Sequence, residues 1–292
     1  MFIATLIAKD RLSGGDISVA LDALADAGIE ARGRSWVEEG KACDLLLPGP
    51  PAPARAALEG LLAGTDVIVQ DGASRRRKLL VADMDSTMIT VECIDELADF
   101  AGVKAEVAAV TERAMRGEIG FEAALAERVA LLAGLDEAAI ERCRAERVRL
   151  TPGARPLVRT MKRSGALTIL VSGGFTRFAD PVGEELGFNR VVANRLGIMA
   201  GRLTGAVHPP VLGAEGKRLA LLASAAERGL GVEEALAVGD GANDVPMLKA
   251  AGLGVAYRAK PAAAAAADAA IVHNDLTALL YAQGWPRSQW EE

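Results

Sequence analysis

The sequence predicts an α/β protein: a doubly wound parallel sheet with an inserted helical cap, preceded by a small ferredoxin-like α+β domain. Three observations lead there. From residue 167 onward, short runs rich in Val, Ile, Leu and Ala alternate with helical patterns, the order that builds βα units. Between 92 and 150 only helical patterns occur. The first 72 residues read in the order βαββαβ. Composition agrees, because the chain is 51% hydrophobic but only 4% aromatic. A core of Ala, Val, Leu and Ile suits helices on a parallel sheet better than an aromatic-rich sandwich. At 292 residues there is room for two domains.

The elements follow in order. Residues 2–8 read as a strand, 16–27 as a helix with Ile17, Leu21, Leu24 and Ala25 on one face, and 30–37 and 42–47 as strands. A proline-rich loop (Gly49 to Pro53) leads into a helix carrying Ala57, Leu58, Leu61 and Leu62, and 66–70 closes the unit as a strand, giving a domain over 1–72. The run Arg75-Arg76-Arg77-Lys78 reads as a solvated linker. The core then occupies 78–91 and 151–292, with 92–150 inserted as the cap. Helices are expected near 92–100, 104–117, 121–133 and 136–148, punctuated by glycines. Strands at 167–171, 235–238, 253–256 and 270–272 alternate with helices at 175–187, 214–228, 243–251 and 275–283, with a short β excursion over 190–206.

Charge and residue usage exclude several classes. Lys and Arg number 33 against 39 Asp and Glu, a net charge of −6, which argues against a nucleic-acid scaffold. No apolar stretch reaches the ~18 residues of a membrane span, and the N-terminus lacks a basic n-region. Cys43, Cys93 and Cys143 are far apart, without metal-type spacing, and His208 and His273 are the only histidines. A zinc site or a His-based triad is therefore disfavoured, and a reducing, cytoplasmic setting is the expectation.

The chemistry gathers at strand ends. The apolar run Leu79-Leu80-Val81-Ala82 stops at Asp83-Met84-Asp85-Ser86-Thr87, two carboxylates at i, i+2. Open α/β sheets bind ligands beyond the carboxyl ends of their strands, and a carboxylate there can be a phosphoryl-transfer nucleophile. The strand at 167–171 ends in Ser172-Gly173-Gly174, whose hydroxyl and backbone N–H groups can cradle an anion. Alone, that tripeptide is satisfied by a plain turn. The strand at 235–238 ends in Gly239-Asp240-Gly241-Ala242-Asn243-Asp244, oxygen ligands suited to a hard divalent cation. Lys217 opens a helix, where a lysine by itself reads as a surface residue. Together these groups supply nucleophile, acid, hydroxyl, cation and metal ligands for one crevice, as a phosphate monoester's high barrier requires.

The set Asp-x-Asp-Ser-Thr, Ser-Gly-Gly, a helix-starting Lys and Gly-Asp-Gly-x-Asn-Asp resembles the haloacid dehalogenase (HAD) superfamily, and within it the phosphoserine phosphatase family, over about 78–283. Glu92, Met115, Phe121 and Arg128 match that family's pattern after the first motif; Met84 stands where a Phe is common. The resemblance implies a HAD Rossmannoid core and Mg²⁺ held by Asp83, Asp240 and the Asp85 backbone carbonyl, with Asp244 as a ligand or in support. It implies Asp83 as nucleophile, Asp85 as general acid and then base, and Ser172, Gly173 and Lys217 on the phosphoryl oxygens. Glu92 would take the ammonium and Arg128 the carboxylate of O-phospho-L-serine, with Met115, Phe121 and Asn243 also at the substrate. The first 70 residues resemble an ACT-like domain, which leaves open a homodimer through it and an amino-acid-sensing role. A phosphatase of another small phosphometabolite and a phospho-acceptor signalling protein are the competing readings. Glu92 and Arg128 speak against the first, and Asp85, which would speed hydrolysis, against the second.

Overall fold

The computed structural model describes residues 1–116 and 118–292, without the side chain of Met115. The N-terminal unit is built from β1 (Phe2–Ala8), α1 (Gly14–Asp26), β2 (Gly33–Glu38), β3 (Ala42–Leu47), α2 (Pro51–Leu58) and β4 (Thr65–Asp71). Its sheet is antiparallel in the order β2-β3-β1-β4, the ferredoxin-like arrangement expected of βαββαβ. Ser13 caps α1 in a capping box with Asp16. The helix α2 stops at Leu58, so Leu61 and Leu62, expected on its face, lie beyond its end.

The second sheet contains β5 (Leu79–Ala82), β6 (Leu167–Phe175), β7 (Arg190–Met199), β8 (Arg202–His208), β9 (Ala235–Gly239), β10 (Leu253–Tyr257) and β11 (Ala269–Ile271). Its order is β11-β10-β9-β5-β6-β7-β8, parallel except for the edge strand β8, which is antiparallel to β7. All four residues of β5 are buried, as befits a central strand covered on both faces. Helices α7 (Ala154–Arg163), α8 (Thr176–Leu186), α9 (Ala214–Glu227), α10 (Val245–Ala250), α11 (Pro261–Ala266) and α12 (Ala278–Ala282) flank the sheet or its approaches. The sequence reading omitted α7. Pro156 hides it, yet a proline in the first turn removes no intrahelical hydrogen bond.

Between β5 and α7 lie α3 (Cys93–Ala101), α4 (Lys104–Met115), α5 (Phe121–Ala130) and α6 (Ala138–Arg147), a helical layer without a strand of its own among the described residues. The chain enters and leaves this layer side by side: Thr90 N–H donates to the Arg149 carbonyl and Thr151 N–H to the Met88 carbonyl. The β7–β8 hairpin grips its far side, with Gly134 N–H on Leu203 O and Glu137 N–H on Gly201 O, at 2.8 and 2.9 Å.

The Arg75–Lys78 run is solvated only at Arg76 and Lys78, which corrects the sequence reading for Arg75 and Arg77. Arg75 makes a bidentate pair with the buried Asp44 at 2.6 and 2.8 Å and donates to the Ala282 carbonyl. Arg76 lies over the Trp285 ring. Arg77, only 3% exposed, bonds Gln70 and the Glu233 carbonyl. On β4, Asp66 accepts the N–H groups of Val272, His273 and Asn274. The face of the N-terminal sheet opposite α1 and α2 is thus closed by the C-terminal segment, and Ile7, Ala42 and Ile68 join the larger sheet's core. Replacing Arg75 by Met strands a buried carboxylate, so the unfolding free energy measured in urea should fall by about 3 kcal/mol; no change would mean the pair is unimportant.

Candidate active site

Strands β6, β5 and β9 are adjacent and parallel, so their carboxyl ends open onto one crevice. Asp83 follows β5 and extends its ladder, with its N–H on the Val238 carbonyl at 3.0 Å. The chain then turns sharply through Ser86, whose φ of 54° is a left-handed conformation that costs a non-glycine residue energy. That turn lets Asp85 Oδ1 accept the Cys93 N–H (3.1 Å) at the start of α3, and the Ser86 hydroxyl donate to Glu92 Oε1 (2.9 Å). Opposite, β6 bends at Ser172-Gly173-Gly174, and the Ser172 hydroxyl accepts the Gly174 N–H at 2.9 Å. A side chain at Gly174 would displace the carboxylate beside it: a Cβ there would lie 2.9 Å from Asp85 Oδ2 and 3.0 Å from Ser172 Oγ.

Beneath the crevice floor is an ion cluster. Lys217, fully buried in the first turns of α9, places Nζ 2.7 Å from Asp83 Oδ1 and 2.7 Å from Asp244 Oδ1. The other oxygen of Asp244 accepts the N–H groups of Asp240 and Gly241 at 3.1 and 3.0 Å. Asp83 Oδ1 also accepts the Met84 N–H, which leaves Asp83 Oδ2 without a hydrogen-bond partner among the described residues. Burial alone would lower the Lys217 ammonium, but Asp244 and Asp83 outweigh it and raise its pKa. Burial, then Asp244, holds Asp83 above the ordinary carboxylate range, although the direct Lys217 contact opposes the shift. Burial and the charge of Glu92 push Asp85 up to about 7, and burial and Asp244 push Asp240 up to about 6.

Asp83, Asp240 and Asp244 each offer a ligand oxygen, all within 4.8 Å of one another and all buried. Three carboxylates face the buried Lys217 and, at 3.7 Å from Asp240 Oδ2, the exposed Lys260, so the cluster still carries excess negative charge when ionised. That all-oxygen donor set and that excess fit a hard divalent cation, so the cluster can hold a metal ion.

Above it, an open cavity is lined by Asp83, Asp85, Glu92, Phe121, Arg128, Gly173, Asp240 and Asn243 among the residues singled out from the sequence. Arg128 reaches it from α5, its Nε donating to the Ala124 carbonyl, and burial lowers its pKa against the pull of Asp95 and Glu92. Ser172, Lys217 and Asp244 do not line the cavity, being 0% exposed and packed under it. The expectation for Met115 concerns a side chain outside the described residues. Sequence reasoning missed Lys260, whose Nζ stands 3.7 Å from both Glu92 Oε1 and Asp240 Oδ2. It also gave no separate role to Thr87, whose hydroxyl donates to Asp240 Oδ1 at 3.3 Å. Thr87 lies inside the first motif, where its presence was a usable signal; Lys260 follows β10 with no motif around it.

Comparison with known proteins agrees with this arrangement. Residues 80–249 match the model of the haloacid dehalogenase-like hydrolases. A phosphoserine phosphatase of Streptomyces coelicolor is 48% identical over 243 residues, 82% of this chain and 59% of that protein. One from Archaeoglobus fulgidus is 45% identical, covering 74% of this chain and 63% of its own length. The chain thus spans about 60% of the length of these relatives. A phosphoserine phosphatase of Polaromonas sp. is 46% identical over 70% of this chain and 88% of its own length. Among solved structures, a HAD family hydrolase from Salmonella enterica serovar Typhi superposes with TM-score 0.82 at 27% identity, covering 96% of this chain and 98% of that one. A substrate-bound phosphoserine phosphatase gives 0.66 at 40% identity, over 70% of this chain and 97% of its own. The matched segment holds Asp83, Asp85, Lys217, Asp240 and Asp244, and on that ground the chain belongs to the haloacid dehalogenase-like hydrolases.

Proposed function

We propose that the chain is a phosphoserine phosphatase: it hydrolyses O-phospho-L-serine to L-serine and phosphate, the last step of serine biosynthesis, through an aspartyl-phosphate on Asp83. The observation that carries the reading is the shared cavity, in which Asp83 and Asp85 face the same space as Glu92 and Arg128. Phosphoserine presents a dianionic phosphate, an ammonium and a carboxylate, and those four residues answer each. Glu92 pairs with the ammonium, and the Arg128 guanidinium grips the carboxylate as a fork. A sugar phosphate has no use for that pair. The relatives named phosphoserine phosphatase support the same substrate.

In this reading the core of 78–91 and 151–292 carries the chemistry and the cap of 92–150 the selectivity. Asp83 Oδ2, free of hydrogen bonds among the described residues, attacks phosphorus in line while Lys217 holds Oδ1. Asp85, with a carboxyl pushed up to about 7, has the proton to give the serine oxygen as it leaves. The same carboxylate then takes a proton from the water that hydrolyses the acyl phosphate. The Gly173 N–H meets the phosphoryl oxygens, Ser172 and Lys217 brace them from below, and Asn243 lies at the substrate's edge. Asp83 and Asp240, with the Asp85 backbone carbonyl and Asp244 in support, hold Mg²⁺, which when bound offsets the phosphoryl group's negative charge. Phe121 closes the apolar side of the cavity. The N-terminal sandwich of 1–72 is free to serve as an ACT-like module or a dimer contact.

Phosphate release should be measured for O-phospho-L-serine, a sugar phosphate and p-nitrophenyl phosphate. Wild type should strongly prefer phosphoserine, and Asp83→Asn should fall to the assay background. Arg128→Ala should lose about 10²-fold in kcat/KM on phosphoserine and little on p-nitrophenyl phosphate; equal losses on both would sink the assigned role of Arg128. Asp85→Asn should reduce kcat by roughly 10²–10⁴ while leaving KM near the wild-type value. Chelation with EDTA should abolish turnover and added Mg²⁺ restore it; full activity in chelator would exclude the metal's part.

A further inference from the structure

We infer that Asn194, on β7, is a positioning residue that locks the two halves of the phosphate cradle to one another; this rests on the phosphatase reading above. The pairing of β6 with β7 is regular up to Ser172–Ala193, then jumps to Phe175–Asn194. The irregularity frees Gly173 and Gly174 from the ladder and, with the Gly174 N–H taken by the Ser172 hydroxyl, leaves the Gly173 N–H to meet an anion, but it also deprives the Gly173 carbonyl of a strand partner. Asn194 fills that gap. Its Nδ2 donates to the Gly173 carbonyl at 2.8 Å and to the Leu212 carbonyl at 3.2 Å, and its Oδ1 accepts the Leu212 N–H at 2.6 Å.

The side chain is only 2% exposed, and all three bonds are made at once. Only a carboxamide offers two donors and an acceptor in this arrangement, and the partners fix which end is nitrogen: two carbonyls face one atom and an N–H the other. The two segments it joins carry different parts of the site. Gly173 belongs to the anion-binding loop, while Leu212 leads through Gly213 into α9, where Lys217 N–H closes the first turn on the Gly213 carbonyl at 3.1 Å. Asn194 therefore sets the Gly173 peptide at a fixed distance from the helix that delivers Lys217. The pair also forms a seat for the cap. The Phe121 ring lies against Gly173 and Gly213, and a Cβ at Gly213 would come within 3.2 Å of it. A cradle that loosened by an ångström would misalign both the phosphoryl group and that seat.

The test uses the full chain as wild type, Asn194→Asp and Asn194→Ser. Asn189→Ser serves as control, since Asn189 bonds Thr168 at the opposite end of β6. Measured quantities are kcat and KM on phosphoserine and p-nitrophenyl phosphate, inhibition by inorganic phosphate, far-UV circular dichroism and the urea midpoint. Both Asn194 variants should stay folded, lose about 10²-fold in kcat/KM on both esters, and bind inorganic phosphate about tenfold more weakly. Asn189→Ser should be destabilised with phosphate affinity intact. Folded Asn194 variants with wild-type phosphate affinity would overturn the inference. So would loss of folding in both, which would make Asn194 a general folding residue. If wild type prefers another monoester, the substrate assignment fails, while the Asn194 effect is still read on that ester and on inorganic phosphate.

Discussion

The ammonium of Lys217 sits without solvent exposure between Asp83 and Asp244, 2.7 Å from each. A lone buried lysine would be driven to neutrality, and two unpaired carboxylates at this depth would take up protons. Set against one another, the three charges hold in place three separate pieces of chain. Asp83 ends β5, Lys217 belongs to α9, and Asp244 organises the loop after β9 by accepting the Asp240 and Gly241 N–H groups. The cavity above exists because that cluster fixes its floor. The cluster still carries excess negative charge, since Asp240 adds a further carboxylate within reach of the others, answered only by the exposed Lys260 at 3.7 Å and the Thr87 hydroxyl.

Around this floor the helical layer is attached at two places of different character. One is the paired entry and exit at 88–90 and 149–151, next to the two-carboxylate turn after β5; the other is the β7–β8 hairpin holding 134–137. Both are backbone hydrogen bonds, so they are insensitive to side-chain substitution. Between them α3 and α5 present Glu92, Phe121 and Arg128 to the cavity. The attachment leaves the layer registered on the sheet.

The N-terminal sandwich is not an appendage. Burial on both faces of β1, β3 and β4 means the sheet needs a second cover besides α1 and α2, and the segment 271–285 supplies it. Because that face is crossed by Asp66, Gln70, Arg75 and Arg77, its polar groups must find partners across the interface. A basic run that looks like a tether thus has two of its residues, Arg75 and Arg77, tied down at that interface.

What the sequence determined by itself was the order of elements and the chemical identity of the groups at strand ends, because hydrophobic periodicity and side-chain chemistry are local properties. The two-carboxylate turn after β5, the Ser-Gly-Gly bend and the acidic loop after β9 were all legible that way, and parallel topology was enough to bring them to one edge. Tertiary structure alone decided which charges are paired. Lys217 looks like a surface residue from its neighbours in sequence and is buried because Asp83 and Asp244, 134 and 27 positions away, meet it. The same holds for Arg77, for Lys260 and for Asn194, whose partners lie on other elements. Helix α7 was hidden for a related reason, since Pro156 is disruptive in the middle of a helix and harmless in its first turn, a distinction that depends on where the helix begins. Burial and long-range pairing are properties of the folded chain, and they assign to each polar residue either a partner or the solvent.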